Sequence, residues 1–68
     1  MTGILIHNGD RPDIIFQNGM FYGGLHCGDC FEIHLDHWVQ VRLEYLDDWI
    51  LILEGGTSPV ISGVLARI

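Results

Sequence analysis

Cys30-Phe31-Glu32-Ile33-His34-Leu35-Asp36-His37-Trp38-Val39-Gln40-Val41-Arg42-Leu43-Glu44-Tyr45 is the stretch that decides the fold. Its apolar residues recur at every second position. Phe31, Ile33 and Leu35 fall on one side, with Cys30, Glu32 and His34 on the other. Beyond the interruption at Asp36-His37, Val39, Val41, Leu43 and Tyr45 share a side, and Gln40, Arg42 and Glu44 share the opposite one. A period of two marks half-buried strands, because successive side chains leave opposite faces. The register of this hairpin follows from matching faces. A two-residue Asp36-His37 loop sets Ile33 against Gln40, apolar against polar. A three-residue Asp36-His37-Trp38 loop sets Leu35 against Val39, Ile33 against Val41 and Phe31 against Leu43. It also makes Glu32 and Arg42 a cross-strand ion pair. A slip of one residue turns every side chain to the wrong face, so the three-residue loop is the expected one.

Downstream, Asp47-Asp48 turns the chain into Trp49-Ile50-Leu51-Ile52-Leu53, a run that is apolar on both faces. Such a strand is covered on both sides or meets another subunit. Glu54-Gly55-Gly56-Thr57-Ser58-Pro59 reads as a flexible loop, Val60-Ile61-Ser62-Gly63 as one tight helical turn, and Val64-Leu65-Ala66-Arg67-Ile68 as a closing strand. Upstream, Asn18-Gly19 separates Ile14-Ile15-Phe16-Gln17 from Met20-Phe21-Tyr22, the signal of a type I′ hairpin turn. Asn8-Gly9-Asp10-Arg11-Pro12 follows Ile4-Leu5-Ile6-His7 and reads as a looser turn closed by Pro12. No segment has helical length and period. Nine glycines, short strands and regular turns predict a single all-β domain over residues 1–68. Its form is a small SH3-like barrel or a compact antiparallel β-sandwich, with a single helical turn before the last strand.

A chain of 68 residues buries only about 60% of its unfolded surface, so a dimer, a metal or a bound partner would support it. The net charge is −6, with Arg11, Arg42 and Arg67 as the only strong cations and no lysine. A nucleic-acid binder needs a basic stripe, so direct nucleic-acid binding is not expected. The acidity suits solubility, or competition with nucleic acid for a basic surface. No apolar run reaches the ~20 residues of a membrane span, and the first residues lack a signal-peptide pattern. Two cysteines, taken as reduced, fit the cytoplasm.

Cys27-Gly28-Asp29-Cys30 has the spacing of a zinc knuckle. Zinc takes four thiolate and imidazole ligands, and the candidate set is Cys27, Cys30, His7 and His26. His34 lies four strand residues beyond Cys30, about 13 Å away, too far to share an ion on a straight strand. The second cysteine pair of a strong motif is missing. The preferred reading is two thiols packed around a Gly28-Asp29 turn. Redox chemistry of the thioredoxin type uses a helix N-terminus, whereas these cysteines lead into a strand. His26 and Cys27 are neighbours that face opposite ways, so no nucleophile–base pair is expected and the chain does not read as an enzyme. Most aromatics read as core. Trp38, at a turn, and Trp49, beside Asp48, are the ones expected to be exposed, and exposed tryptophan anchors interfaces. Trp38, Trp49, Leu51, Asp47 and Asp48 are therefore the candidate binding residues.

Tyr22-Gly23-Gly24-Leu25-His26-Cys27-Gly28-Asp29-Cys30-Phe31-Glu32-Ile33 resembles the core of a small uncharacterised bacterial family, written YGLHCGxCFEV. Trp38, Asp48-Trp49 and the ending Gly63-Val64-Leu65-Ala66-Arg67-Ile68 resemble its later features. The resemblance covers roughly residues 20 to 68. The extra glycine in Gly23-Gly24 departs from it. The family is a domain of unknown function, common on mobile elements of Gram-positive bacteria. It implies a cytoplasmic accessory protein and no catalytic residues.

The function expected from these readings is a non-enzymatic protein-interaction module without a cofactor. Its partner is a protein, with a second copy of the chain among the candidates. One alternative is an acidic inhibitor that mimics nucleic acid, which requires Asp10, Asp13, Asp29, Glu32, Asp36, Glu44, Asp47 and Asp48 to form one stripe. The other is a zinc-stabilised domain.

Overall fold

The computed structural model describes residues 1–68. Seven strands follow one another: β1 (Thr2–Asn8), β2 (Arg11–Phe16), β3 (Cys30–His34), β4 (Trp38–Tyr45), β5 (Trp49–Leu53), β6 (Gly56–Pro59) and β7 (Leu65–Arg67). They form one antiparallel sheet in the order β2-β1-β7-β3-β4-β5-β6. The protein is all-β, as the alternation predicts. The sheet bends around its core without hydrogen bonding β2 to β6. The stretch expected as a flexible loop supplies β6, because the two-residue Glu54-Gly55 turn pairs Leu53 with Gly56. Val60–Gly63 makes no helical turn; the chain reverses at Ser62-Gly63 and enters β7.

The β3–β4 hairpin keeps the expected faces but not the expected partners. Ile33 opposes Val39, Phe31 opposes Val41, and Cys30 opposes Arg42. The loop has three residues, as expected, but they are Leu35-Asp36-His37. A shift of two positions in pairing preserves parity, so hydrophobic matching alone does not distinguish the two registers. In the observed one, His34 faces Trp38 and the rings meet edge to face, centroids 5.2 Å apart. Leu35 is thereby expelled from the core and exposed. The Glu32–Arg42 pair does not form. Arg42 Nε bonds Glu44 along its own strand at 2.9 Å, and Glu32 takes Arg67 from β7. The β4–β5 hairpin repeats the plan: Tyr45 faces Trp49 across Leu46-Asp47-Asp48, with ring centroids 5.0 Å apart.

Two glycine bulges lead into the two central strands, β3 and β7. Gly28 N–H donates to the Leu43 carbonyl at 2.7 Å, while Leu43 N–H donates to the Asp29 carbonyl at 2.9 Å. Gly63 N–H donates to Leu5 and Leu5 N–H to Val64 in the same pattern. Two residues thus oppose one in each case, with a glycine at φ 89° or 94° in the first position. Only glycine adopts that conformation without strain. The Cys27-Gly28 reversal ahead of β3 is a β-turn in which Asp29 N–H donates to the His26 carbonyl. Asp29 Oδ2 accepts the His26 N–H in return at 2.8 Å.

The core is Leu5, Ile14, Phe16, Leu25, Phe31, Ile33, Val41, Leu43, Leu51 and Ala66. All but Leu25 lie on strands. Leu25 arrives on the segment after β2, which runs along that strand's outer edge. There Phe16 N–H donates to Met20, Tyr22 N–H to Ile14 and Leu25 N–H to Pro12. Pro12 has no N–H to lose and sits on this edge strand, where proline is tolerated. The expected type I′ hairpin reduces to one bridge, Ile15 to Phe21. Of its turn residues Gly19 alone has positive φ, so Gln17-Asn18-Gly19 forms the loop. The Asn8–Arg11 connection is tighter than expected: Gly9-Asp10 joins paired Asn8 and Arg11, and Pro12 lies inside β2.

Candidate functional site

The residues expected to bind do not form one patch. Leu51 is a core residue at 0% exposure, because it faces Leu43 on the inner side of the sheet. Trp38 opens β4, whereas Trp49 opens β5 beside the far end of β4 and lies on the opposite face of the sheet. Both are half-buried. Each is roofed by an arginine, with the Arg67 guanidinium 4.1 Å from the Trp38 centroid and that of Arg11 5.2 Å from Trp49. Such stacking uses the face a partner would need. Trp49 also donates its indole N–H to the Asp10 carbonyl at 2.8 Å, tying β5 to the β1–β2 turn. Asp47 and Asp48 form the exposed tip beside it, and Asp48 caps the Trp49 N–H.

The candidate zinc ligands Cys27, Cys30, His7 and His26 are not gathered either. No three histidine, cysteine, aspartate or glutamate side chains are placed to hold an ion. Cys27 and Cys30 are exposed free thiols rather than packed ones, since the turn puts Cys27 at its tip and Cys30 starts the outer face of β3. Nor do the acids form a stripe. Asp13 is buried, and Glu32 and Glu44 are held by Arg67 and Arg42. Asp36 and Asp47 are divided by the eight residues of β4, which extend over about 24 Å.

All three arginines are engaged. Arg67 Nε meets Glu32 Oε1 at 2.8 Å, with Nη2 3.4 Å from Oε2. The hydrogen bond from Arg67 is the main cause that holds the Glu32 carboxyl below its ordinary pKa, and the guanidinium charge adds to it. Arg11 Nη1 donates to the Leu25 carbonyl at 2.8 Å. Asp13 works beside it from inside: its Oδ1 accepts the N–H groups of Ile14 and Gly23, at 2.8 and 3.1 Å. Asp13 and Arg11 together fasten the Met20–Leu25 segment to β2, although Gly23 and the extra Gly24 both take positive φ.

That fastening creates the surface that the sequence reading missed. Phe21 and Tyr22, expected in the core, are 49% and 44% exposed, and Met20 is 64% exposed. With Met1, Phe16 and Ile68 they line an apolar groove of about 370 Å³. Seven residues form this groove. A second groove, of about 460 Å³, is formed by eight and carries Ile4, Ile15 and Leu65 from the outer face of β1, β2 and β7. Phe16 is shared, so fourteen residues line the pair. None has a side chain charged at neutral pH, and the chain termini meet in the first groove, where the Met1 ammonium donates to the Ile68 carbonyl at 2.7 Å. Six of the ten exposed large apolar side chains of the molecule line these grooves, five of them (Met1, Met20, Phe21, Tyr22 and Ile68) in the first, and the second opens on the opposite face of the sheet.

The sequence matches the family described as Domain of unknown function (DUF5348) over residues 3–68. The chain belongs to this family. A crystal structure of a protein from Ruminococcus gnavus is similar to this DUF5348 chain at 41% identity, with a TM-score of 0.85 and full coverage of both chains. No curated protein matches. The DUF5348 sheet thus presents acidic tips at its ends and two apolar grooves on opposite faces. No helix is long and apolar enough to cross a membrane.

Proposed function

We propose that this DUF5348 domain is a non-enzymatic protein-interaction module that docks through the apolar groove of Met20, Phe21 and Tyr22. The observation that carries the reading is that Met1, Met20, Phe21, Tyr22 and Ile68 are all exposed in that one groove. Single exposed apolar residues are ordinary, whereas a contiguous patch rimmed by polar surface marks an interaction site. Aromatic residues and methionine, present here as Phe21, Tyr22 and Met20, are enriched where proteins meet. The engagement of Arg11, Arg42 and Arg67 within the fold leaves no basic stripe for nucleic acid, which favours a protein partner. The family resemblance adds a cytoplasmic accessory role on mobile elements to the proposal.

A photo-reactive benzoyl-phenylalanine at position 21 tests the docking face in the native host. Covalent protein adducts are expected from position 21, and they should disappear when Met20→Glu is added. No adduct, or the same adducts with Met20→Glu, rejects this groove as the docking surface.

A further inference from the structure

We infer that the groove of Met20, Phe21 and Tyr22 takes an extended peptide segment of the partner, apolar at alternate positions and flanked by basic residues. The segment pairs with the backbone at Phe21 as an added strand. The inference rests on the docking reading and names the chemistry of the partner.

Backbone hydrogen bonding is the first argument. Phe16 N–H donates to Met20 and Tyr22 N–H to Ile14, each at 2.8 Å, on either side of the Ile15–Phe21 bridge. In an antiparallel ladder, a residue bracketed in this way turns its own N–H and C=O away from the strand it faces. The Phe21 N–H and C=O therefore point outward from β2, and neither is bonded within the fold. Another extended backbone matches that pair of groups by exchanging two hydrogen bonds with it. A helix does not, because its backbone groups are bonded along its own axis.

Position is the second. The rest of this edge is closed: Leu25, Tyr22 and Met20 already bond Pro12, Ile14 and Phe16, and Asp13 Oδ1 takes the Gly23 N–H at 3.1 Å. The edge strand at the other end of the sheet, β6, carries Pro59, which offers no N–H. At Phe21 the open backbone adjoins the apolar groove. Gly23 and Gly24, at φ 112° and 98°, end the extended run directly after Tyr22. The opening is thus short, which suits a peptide segment rather than the edge of a second sheet.

Side-chain chemistry is the third. On a strand paired with Phe21, the residues before and after the paired one stand beside Met20 and Tyr22, because side chains alternate between faces. Both positions lie over the groove, whose seven lining residues carry no charged side chain, so both are apolar. Away from the groove the chain is at −6, with all three arginines engaged within the fold. Basic flanks are drawn by that field, and acidic ones are repelled.

Selection of a random peptide library on the full chain tests the inference. Enriched peptides are expected to carry apolar residues two positions apart, between lysines or arginines. When they bind, the Phe21 amide should become protected from hydrogen exchange. N-methylation of Phe21, introduced by total synthesis of the chain, blocks the open edge and keeps every side chain. It should weaken binding at least about tenfold, since it deletes one hydrogen bond and holds the other apart. A thermal melt checks that the methylated chain folds, as expected for an N–H with no partner in the fold. Apolar residues at helical spacing, acidic flanks, an unprotected Phe21 amide, or full binding by the folded methylated chain overturns the inference. Host adducts from position 21 without any enriched peptide reject the peptide segment alone, and adducts of twice the chain's mass identify a second copy in its place. Neither peptides nor adducts reject the docking groove as well.

Discussion

Glu32 shows how one side chain can be claimed by two neighbours on paper and by one in space. Alternation places it on the outer face of β3, opposite β4, which made Arg42 its apparent partner. Arg67 reaches it first because β7 inserts beside β3. Arg67 then holds Glu32 with one edge while its plane covers Trp38. The bonded carboxylate titrates lower when folded than when unfolded. Its contribution is therefore complete above the ordinary glutamate value of about 4.3, and it is lost as pH falls through the lowered folded value. Glu32→Gln should lower the urea midpoint at neutral pH, and the gap from wild type should narrow as acid protonates Glu32. A gap that is constant from neutral to acid pH would mean the pair adds nothing through its charge. The outer-face position of Glu32 was legible in the sequence; its partner was not, since no local pattern announces which strand lies alongside.

Among the elements, the Met20–Leu25 segment depends most on a single buried group. Asp13 is 4% exposed, and its Oδ1 serves both the Ile14 and Gly23 N–H groups. Removing it strands two donors, and a buried donor left unpaired costs about 1–3 kcal/mol. Asp13→Ala should destabilise the domain by about that range and speed amide exchange of Gly23 and Tyr22. Asp13→Asn keeps an acceptor oxygen and should restore most of the protection. If alanine leaves exchange in this segment unchanged, Asp13 does not fasten it. The strands themselves were readable because a period of two survives any even shift. The exact loop was not, although a signal lay in view. His34-Leu35-Asp36-His37-Trp38 and Tyr45-Leu46-Asp47-Asp48-Trp49 repeat one pattern eleven positions apart. The ring at the first position and the tryptophan at the fifth close each loop. The exposed face escaped notice for another reason. Hydropathy assigns Phe21 and Tyr22 to the interior, whereas Gly23-Gly24 ends the pairing before a full strand forms.

For the molecule as a whole, side chains join what the backbone leaves open. The end strands do not pair, and Trp49 spans the gap by bonding Asp10 while partly packing against the core. Trp49→Phe keeps an aromatic body but loses that bond. It should cost about 1 kcal/mol, the usual net worth of such a hydrogen bond, read as a lower midpoint in urea. An unchanged midpoint would assign the clamp to packing alone. The all-β class followed from the alternation. The absence of barrel closure did not, because strand order arises from pairings between distant residues.

The placement of β7 bears on how the chain finds this arrangement. β1 and β2 are joined by a short turn, and so are β3 through β6 in succession. Within the sheet, those two blocks are joined only through the three residues Leu65–Arg67. Each block can assemble from neighbours in the chain. Their union waits for a contact such as Gly3 with Ala66, across nearly the whole sequence. Pairing at that separation is slow, so capture of β7 is the step expected to limit the folding rate. On the ribosome, the two blocks stay unjoined until that last strand emerges.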